Sequence, residues 1–239
     1  LLNTLTVLNA YNGLKLWSCT LEPTHVVHNV AKLATDNELV FAEGKTLWML
    51  DPATGQERGK FRVPQAASKI GDTEWKWIVR EGDTLWAAFG PPDARIAPHK
   101  QKLEMGHWPW NVANEQYKAI TENFGQARTL AAFRYPQMKL LWSTSEPEPF
   151  DARTLCMEGG RILELAPEKY MAARDSATGK ELWRQTPETA KELFYTVGAA
   201  IKRQGWGIGW ATYCCARAND GVVCIAGPPF QKTIGVSFE

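Results

Sequence analysis

Residues 174–183 read RDSATGKELW. Asp175, Thr178 and Gly179 stand in a fixed order, and Trp183 follows four residues after the glycine. A near copy, LDPATGQERG, occupies 50–59. The chemistry of the pattern is local. A carboxylate or amide at the lead position accepts hydrogen bonds from backbone N–H groups two and three residues on, closing an Asx-type turn. A glycine shortly afterwards supplies a positive φ at no steric cost. The pattern reads as a turn between two strands, with the tryptophan in the second.

Two more stretches superimpose on it without gaps: LNAYNGLKLW at 8–17 and FRYPQMKLLW at 133–142. The lead position holds Asn9, Asp51, Arg134 and Asp175, and the turn position holds Gly13, Gly55, Met138 and Gly179. Eight residues past the lead stand Trp17, Gly59, Trp142 and Trp183. Asn and Arg replace Asp at the lead, so the motif is punctuation rather than a set of acidic ligands.

The leads are 42, 83 and 41 residues apart. The long interval is one repeat, not two. Each copy follows a pair of short apolar runs, such as 39–42 and 46–50. In the long interval 83–89 supplies the first run and 128–133 the second. Residues 90–127 are then an insertion inside that repeat. A fifth pair of runs follows at 221–238. Runs of four to six apolar residues, bounded by Gly, Asp and Asn, are strands. Each unit reads as four antiparallel strands, A to D, with A–B turns at 35–37, 80–83, 158–160 and 218–221. Four strands per ~42 residues is the period of a propeller blade. Blades must stack to bury their faces, and the D-strand tryptophans Trp17, Trp142 and Trp183 are expected to pack between them. The expected fold is all-β, a β-propeller of four-stranded antiparallel blades, forming a partial ring of about five blades or blade fragments. Two long insertions are expected on one face.

The xLxxLDxxTGxxLW unit resembles the repeat of the pyrroloquinoline-quinone-like β-propellers. These include quinoprotein alcohol dehydrogenases and the propeller lipoprotein of the outer-membrane barrel-assembly machinery. EWKW (74–77), GHWPWN (106–111), ENFGQ (122–126) and SEPEPFDARTLCM (145–157) are similar to segments of bacterial multi-domain propeller proteins, many from planctomycete-like bacteria. The resemblance implies a ring of seven or eight blades, of which residues 1–239 form one segment, and a periplasmic or otherwise extracytoplasmic location. For the dehydrogenases it implies pyrroloquinoline quinone with calcium and a vicinal disulfide beside the cofactor. Cys214 and Cys215 are adjacent, but they end an expected A strand, where neighbouring side chains point to opposite faces. Two ordinary thiols are the favoured reading. The dehydrogenases' acidic base and carboxylate–amide calcium site have no counterpart that the sequence identifies.

Composition narrows the function classes. Lys+Arg number 27 against 26 Asp+Glu, a net charge of +1, so no basic excess draws the chain to nucleic acid. No apolar stretch reaches the ~18 residues of a membrane span. Residues 1–20 lack the basic start and unbroken apolar core of a signal peptide. The chain opens inside a repeat, which reads as a piece of a longer protein. Five cysteines (Cys19, Cys156, Cys214, Cys215 and Cys224) form no CxxC, so zinc-ribbon and c-type haem readings lack support. His25 and His28 are three apart near a strand start, on opposite faces, and no metal site is read there. Nothing matches a nucleophile elbow, a phosphate loop or a zinc-protease helix.

The departures from the repeat carry the functional reading. In an antiparallel meander the A–B and C–D turns share one face, and the B–C and D–A links share the other. The 90–127 insertion is a B–C link, and a second long connection at 187–208 is a D–A link. Both should leave the face opposite the DxxTG turns, and long loops in compact domains are usually functional or disordered. The first carries His99, Lys100, Lys102, His107, Trp108, Trp110 and Asn111. The second carries Lys202, Arg203, Trp206 and Trp210. Indole faces with nearby cations suit a sugar ring, a quinone or another flat ligand, and equally suit loops packed on themselves. The spacing of Leu193, Val197 and Ile201 predicts a short helix within 186–202. The expected function is a non-catalytic binding or scaffold module that requires no cofactor. Its loop-rich face would meet a protein partner, other domains of the same polypeptide, or a glycan. The alternatives are a quinone-dependent dehydrogenase domain and a degenerate domain whose only role is packing within a larger chain.

Overall fold

The computed structural model describes residues 4–21, 31–35, 37–65, 73–92, 125–166, 169–190, 215–226 and 234–237. These residues form seventeen strands in five separate antiparallel sheets. The first sheet is a hairpin of β1 (Thr4–Leu8) and β2 (Lys15–Thr20). The second runs in chain order through β3 (Lys32–Ala34), β4 (Leu39–Glu43), β5 (Thr46–Leu50) and β6 (Glu57–Arg62). The third comprises β7 (Glu74–Glu81), β8 (Thr84–Gly90), β9 (Gln126–Arg134) and β10 (Lys139–Asp151). The fourth comprises β11 (Cys156–Glu158), β12 (Arg161–Ala166), β13 (Tyr170–Asp175) and β14 (Glu181–Gln185). The fifth holds β15 (Cys215–Asn219), β16 (Val222–Ala226) and β17 (Ile234–Ser237). Sequential pairing puts the run at 84–90 beside that at 126–134 in one sheet, with Phe89 opposite Thr129.

Three of the four C–D turns share one build. Asn9 Oδ1 accepts from the Tyr11 and Asn12 N–H groups, at 2.9 and 3.3 Å. Asp51 Oδ1 accepts from Ala53 and Thr54, both at 2.9 Å. Asp175 Oδ1 accepts from the Thr178 N–H at 2.8 Å and its hydroxyl at 2.7 Å. In each, the glycine N–H donates to the lead residue's carbonyl at 2.8 Å, and Gly13, Gly55 and Gly179 have φ of +72°, +75° and +73°. The fourth turn holds the same left-handed position with Met138, at φ +53°.

The core is the stacking of sheets on sheets. β8 shows how one strand serves two seams. Leu85, Ala87 and Phe89 meet Val40, Leu47 and Met49 of the second sheet, together with Trp75 and Phe133. Trp86 and Ala88 meet Ile162, Ala166 and Ala172 of the fourth sheet. Successive side chains point to opposite faces, and both faces are buried, so TLWAAF reads as an unbroken apolar run. Trp75 and Phe89 meet edge to face with ring centroids 4.7 Å apart. The D strands are outermost, and along β2 and β6 half-buried and exposed residues alternate beyond the first two positions.

Two of the D-strand tryptophans cross to the next sheet. Trp17 of β2 lies against Gly55, and its Nε1–H donates to the Pro52 carbonyl at 2.9 Å. Trp142 of β10 lies against Gly179 and donates to the Ser176 carbonyl at 3.0 Å. The repeat's tryptophan and the following repeat's glycine are thus two halves of one contact. This accounts for the drifted copies. Gly59 stands where the second sheet would carry its tryptophan, and Met138 stands where the third would carry the receiving glycine. A different device fills that seam: the Tyr135 hydroxyl donates to Glu38, Arg80 pairs with Glu38 at 3.0 Å, and the Arg80 guanidinium lies 4.9 Å from the Tyr135 ring centre.

Candidate functional site

The pairing pattern places A–B and C–D turns at one end of the sheets and B–C and D–A links at the other. Two long connections leave from that second end, one between Gly90 and Gln126 and one between Gln185 and Cys215. The first has a tightly closed stem. A side chain on Gly90 would collide with the Gln126 carbonyl, so glycine is required there for space. The Gly125 carbonyl accepts from the Ala152 N–H at 2.9 Å, tying the stem to the link that follows β10. Asp151, fully buried beside it, accepts from the Arg153 N–H and Nε at 2.9 and 2.8 Å. Gln126 is buried, and neither atom of its amide has a hydrogen-bond partner. Leaving such atoms unpaired costs about 1–3 kcal/mol, so the base of this loop carries a buried polar group at a cost in stability.

The residues expected to contact a ligand lie outside the described residues. These are His107, Trp108, Trp110 and Asn111 of the first connection, and Lys202, Arg203, Trp206 and Trp210 of the second. His25, His28, His99, Lys100, Lys102 and Cys214 lie outside them too. Of the expected helix only 186–190 is described, and it makes one turn, with the Ala190 N–H donating to the Thr186 carbonyl at 2.9 Å. Cys19, Cys156 and Cys224 form no disulfide. Among the described residues, no group of three or more His, Cys, Asp or Glu is placed to hold a metal ion.

A polar cluster that the repeat did not mark lies in the seam between the third and fourth sheets. Arg174 of β13 donates from Nε to Glu164 Oε1 at 3.0 Å and from Nη2 to the same oxygen at 2.9 Å. Its Nη2 also reaches Glu146 of β10 and, at 3.5 Å, Glu181 of β14. Arg184 pairs with Glu146 at 3.0 Å and Glu181 at 2.5 Å, and its guanidinium lies 3.9 Å from the Tyr170 ring centre. Three carboxylates face two guanidiniums. Glu164 is fully buried, and its Oε2 has no partner. Burial pushes its carboxyl up to about 7, against the pull of Arg174 and with the push of Glu146. The Tyr170 hydroxyl is likewise buried without a partner. The sequence held one signal for this cluster: a glutamate inside the apolar run ILELA at 162–166.

No family model matches the chain, and no curated protein does. Solved structures do. The computationally designed protein Ika8 superposes with a TM-score of 0.53 at 10% identity, over 96% of this chain and 51% of its own. BamB from Moraxella catarrhalis, a β-propeller protein, superposes with a TM-score of 0.51 at 13% identity, over 99% of this chain and 59% of its own. The fold is a β-propeller. Its five sheets are blades or parts of blades, and the chain spans between 51% and 59% of the length of these two propellers. Likeness at this identity carries the fold and not the function. In blade terms, the Glu164 cluster sits between blades three and four, and the long connections leave the loop end.

Proposed function

We propose that this propeller is a non-catalytic binding or scaffold module. It presents the loop end, with Trp108, Trp110, Arg203 and Trp206, to a protein partner or a glycan. The observation that supports this reading is the placement of the two stems. Gly90–Gln126 and Gln185–Cys215 open at the same end of the blades, away from the regular turns. A rigid scaffold with its irregular segments gathered at one end is a common arrangement for recognition. The indoles and cations of those segments suit a sugar ring or a peptide surface, and a periplasmic or extracytoplasmic setting fits such a role.

The test compares the native chain with Trp108→Ala/Trp110→Ala and Arg203→Ala/Trp206→Ala on a glycan array and against candidate protein partners. Each double variant should keep the native melting temperature and lower affinity at least tenfold. Equal binding by all three chains would remove the loop end from the reading. Oxidation of an alcohol by the native chain with added quinone and calcium would replace the reading with the dehydrogenase alternative.

A further inference from the structure

Blade three is fastened to blade four by two different chemistries. Trp142 and Glu146 stand on one face of β10, the face toward blade four, about 13 Å apart along the strand. At the turn end, Trp142 and Trp86 both donate to the Ser176 carbonyl, at 3.0 and 2.7 Å. An indole is a donor only, and this contact does not titrate. Nearer the loop end, Glu146 accepts from Arg184 Nη2 on its two oxygens, at 3.1 and 3.0 Å, and from Arg174 Nη2.

Around Glu164 the carboxylates outnumber the guanidiniums. Arg174 turns both Nε and Nη2 onto one oxygen, Oε1, at 3.0 and 2.9 Å, and its Nη1 donates to the Gly179 carbonyl at 3.3 Å. Arg184 serves Glu146 and Glu181. Oε2 of the fully buried Glu164 is left without a partner. The other groups near β12 do not redress this. Burial, first, pushes the Tyr170 hydroxyl up, so it stays neutral. Asp151 and Arg153, beside the link packed on β12, pair with each other. Cys156 and Glu158 of β11 stand opposite Leu163 and Arg161, whose side chains point to the other face of β12. Glu146, Glu164 and Glu181 therefore share Arg174 and Arg184, with one negative charge in excess when all are ionised. An unbalanced charge in a buried seam is costly.

We propose that Glu164 is a proton-operated latch on this seam: protonated, it leaves Arg174 to bridge to Glu146 of blade three, and ionised, it draws Arg174 back into blade four. The proton sits on Oε2, the oxygen that no donor reaches, while Oε1 still accepts as a neutral carbonyl oxygen. Two carboxylates then face two guanidiniums, and both arginines can serve Glu146. An ionised Glu164 instead offers Arg174 two charged oxygens, the fork-on-fork arrangement that a guanidinium favours. Glu146 then keeps Arg184, which Glu181 also claims. The Trp142–Ser176 contact is untouched, so the seam loosens at Glu146 and not at the turn. Burial, which raises the Glu164 carboxyl to about 7, sets the change near neutral pH, with the latch closed below that value and open above it. The latch works whether or not the loop end binds a partner.

The test is amide hydrogen exchange on the native chain and on Glu164→Gln, which keeps the shape and cannot ionise, at about pH 5.5 and about pH 8. Comparing the two chains at the same pH removes the intrinsic pH dependence of exchange. At the lower pH their rates should agree. At the higher pH residues 146–150 and 181–185 should exchange about tenfold faster in the native chain, while 140–144 and 173–177 stay equal in both. Should Glu164→Gln fail to fold, the infrared spectrum of the native chain decides. The C=O stretch of a neutral carboxyl should be present at the lower pH and fade in step with the rise in exchange at 146–150. Three results would overturn the proposal. One is equal exchange in the two chains at the higher pH. Another is a loosening that spreads evenly to 140–144 and 173–177, which would make the effect a loss of overall stability. The third is the absence of a neutral carboxyl at the lower pH.

Discussion

Glu164 and the turn aspartates show how a single residue's surroundings set its part in stability. Glu164 has its folded value raised to about 7 from an ordinary 4.5, first by burial. A raised folded value means the contribution is fully present below the unfolded value and is lost as pH rises through the folded one. The native chain should lose stability between about pH 4.5 and about 7 through this residue. Glu164→Gln cannot ionise. Thermal melts at pH 5 and pH 8 should show the native chain falling relative to that variant, and parallel profiles would contradict the assignment. Asp51 runs the opposite way. The Thr54 N–H first, then Arg58, hold it down at about 2. Its contribution is present above the ordinary carboxylate value and is lost as pH falls toward about 2. Asp175 is lowered by the Thr178 hydroxyl first and its N–H second. Asp175→Ala removes the acceptor for both and should lower the melting temperature by a few degrees, as lost caps do, while partner affinity stays unchanged.

Neighbouring blades in this propeller are joined across seams by outer-strand tryptophans that reach the next blade's C–D turn. Trp142→Ala should cost about 3 kcal/mol, the scale of removing a large aromatic from a packed site. Trp142→Phe, which keeps most of the ring but removes one of the two indole N–H donors to the Ser176 carbonyl, the other being Trp86, should cost about 1 kcal/mol. Urea melts measure both. The seam between blades two and three offers a sharper check, because Gly59 and Met138 are the altered halves of the same contact. Gly59→Trp and Met138→Gly should each destabilise alone, and the double variant should recover at least about 1 kcal/mol of their sum. The repeat alignment shows both positions as drift in separate copies. It cannot show that they belong to the two sides of one seam, because each copy is compared with its equivalents and not with its neighbour in space. The strands themselves were legible. Alternation, turn residues and the pairing of 84–90 with 126–134 all follow from patterns a few residues long.

Across the whole molecule, the two long connections leave the blades at one end. The stem at Gly90 and Gln126 is held by the pairing of β8 with β9, Phe89 opposite Thr129, and by the Gly125 carbonyl. Replacing 92–124 with a two-residue Asn-Gly turn should leave a folded chain with a near-native melting temperature and little partner binding. Circular dichroism and the binding assay together check this, and an unfolded product would make the insertion part of the core. The sequence by itself determined the blade order, the four strands of the three complete units, the turn chemistry and the end from which long connections leave. Those depend on hydrogen bonds between near neighbours and on a two-residue periodicity, both of which are local. Only the tertiary structure decided that Trp17 and Trp142 close onto the next blade's glycine, that Tyr135 and Arg80 share Glu38 where that contact is altered, and that Glu164 shares Arg174 with Glu146 and Glu181. Glu146 and Arg184 stand 38 residues apart in the chain and meet only because one blade stacks on another. Burial on both faces comes from that stacking. It turns an unremarked glutamate in an apolar run into the group that governs how this seam responds to pH.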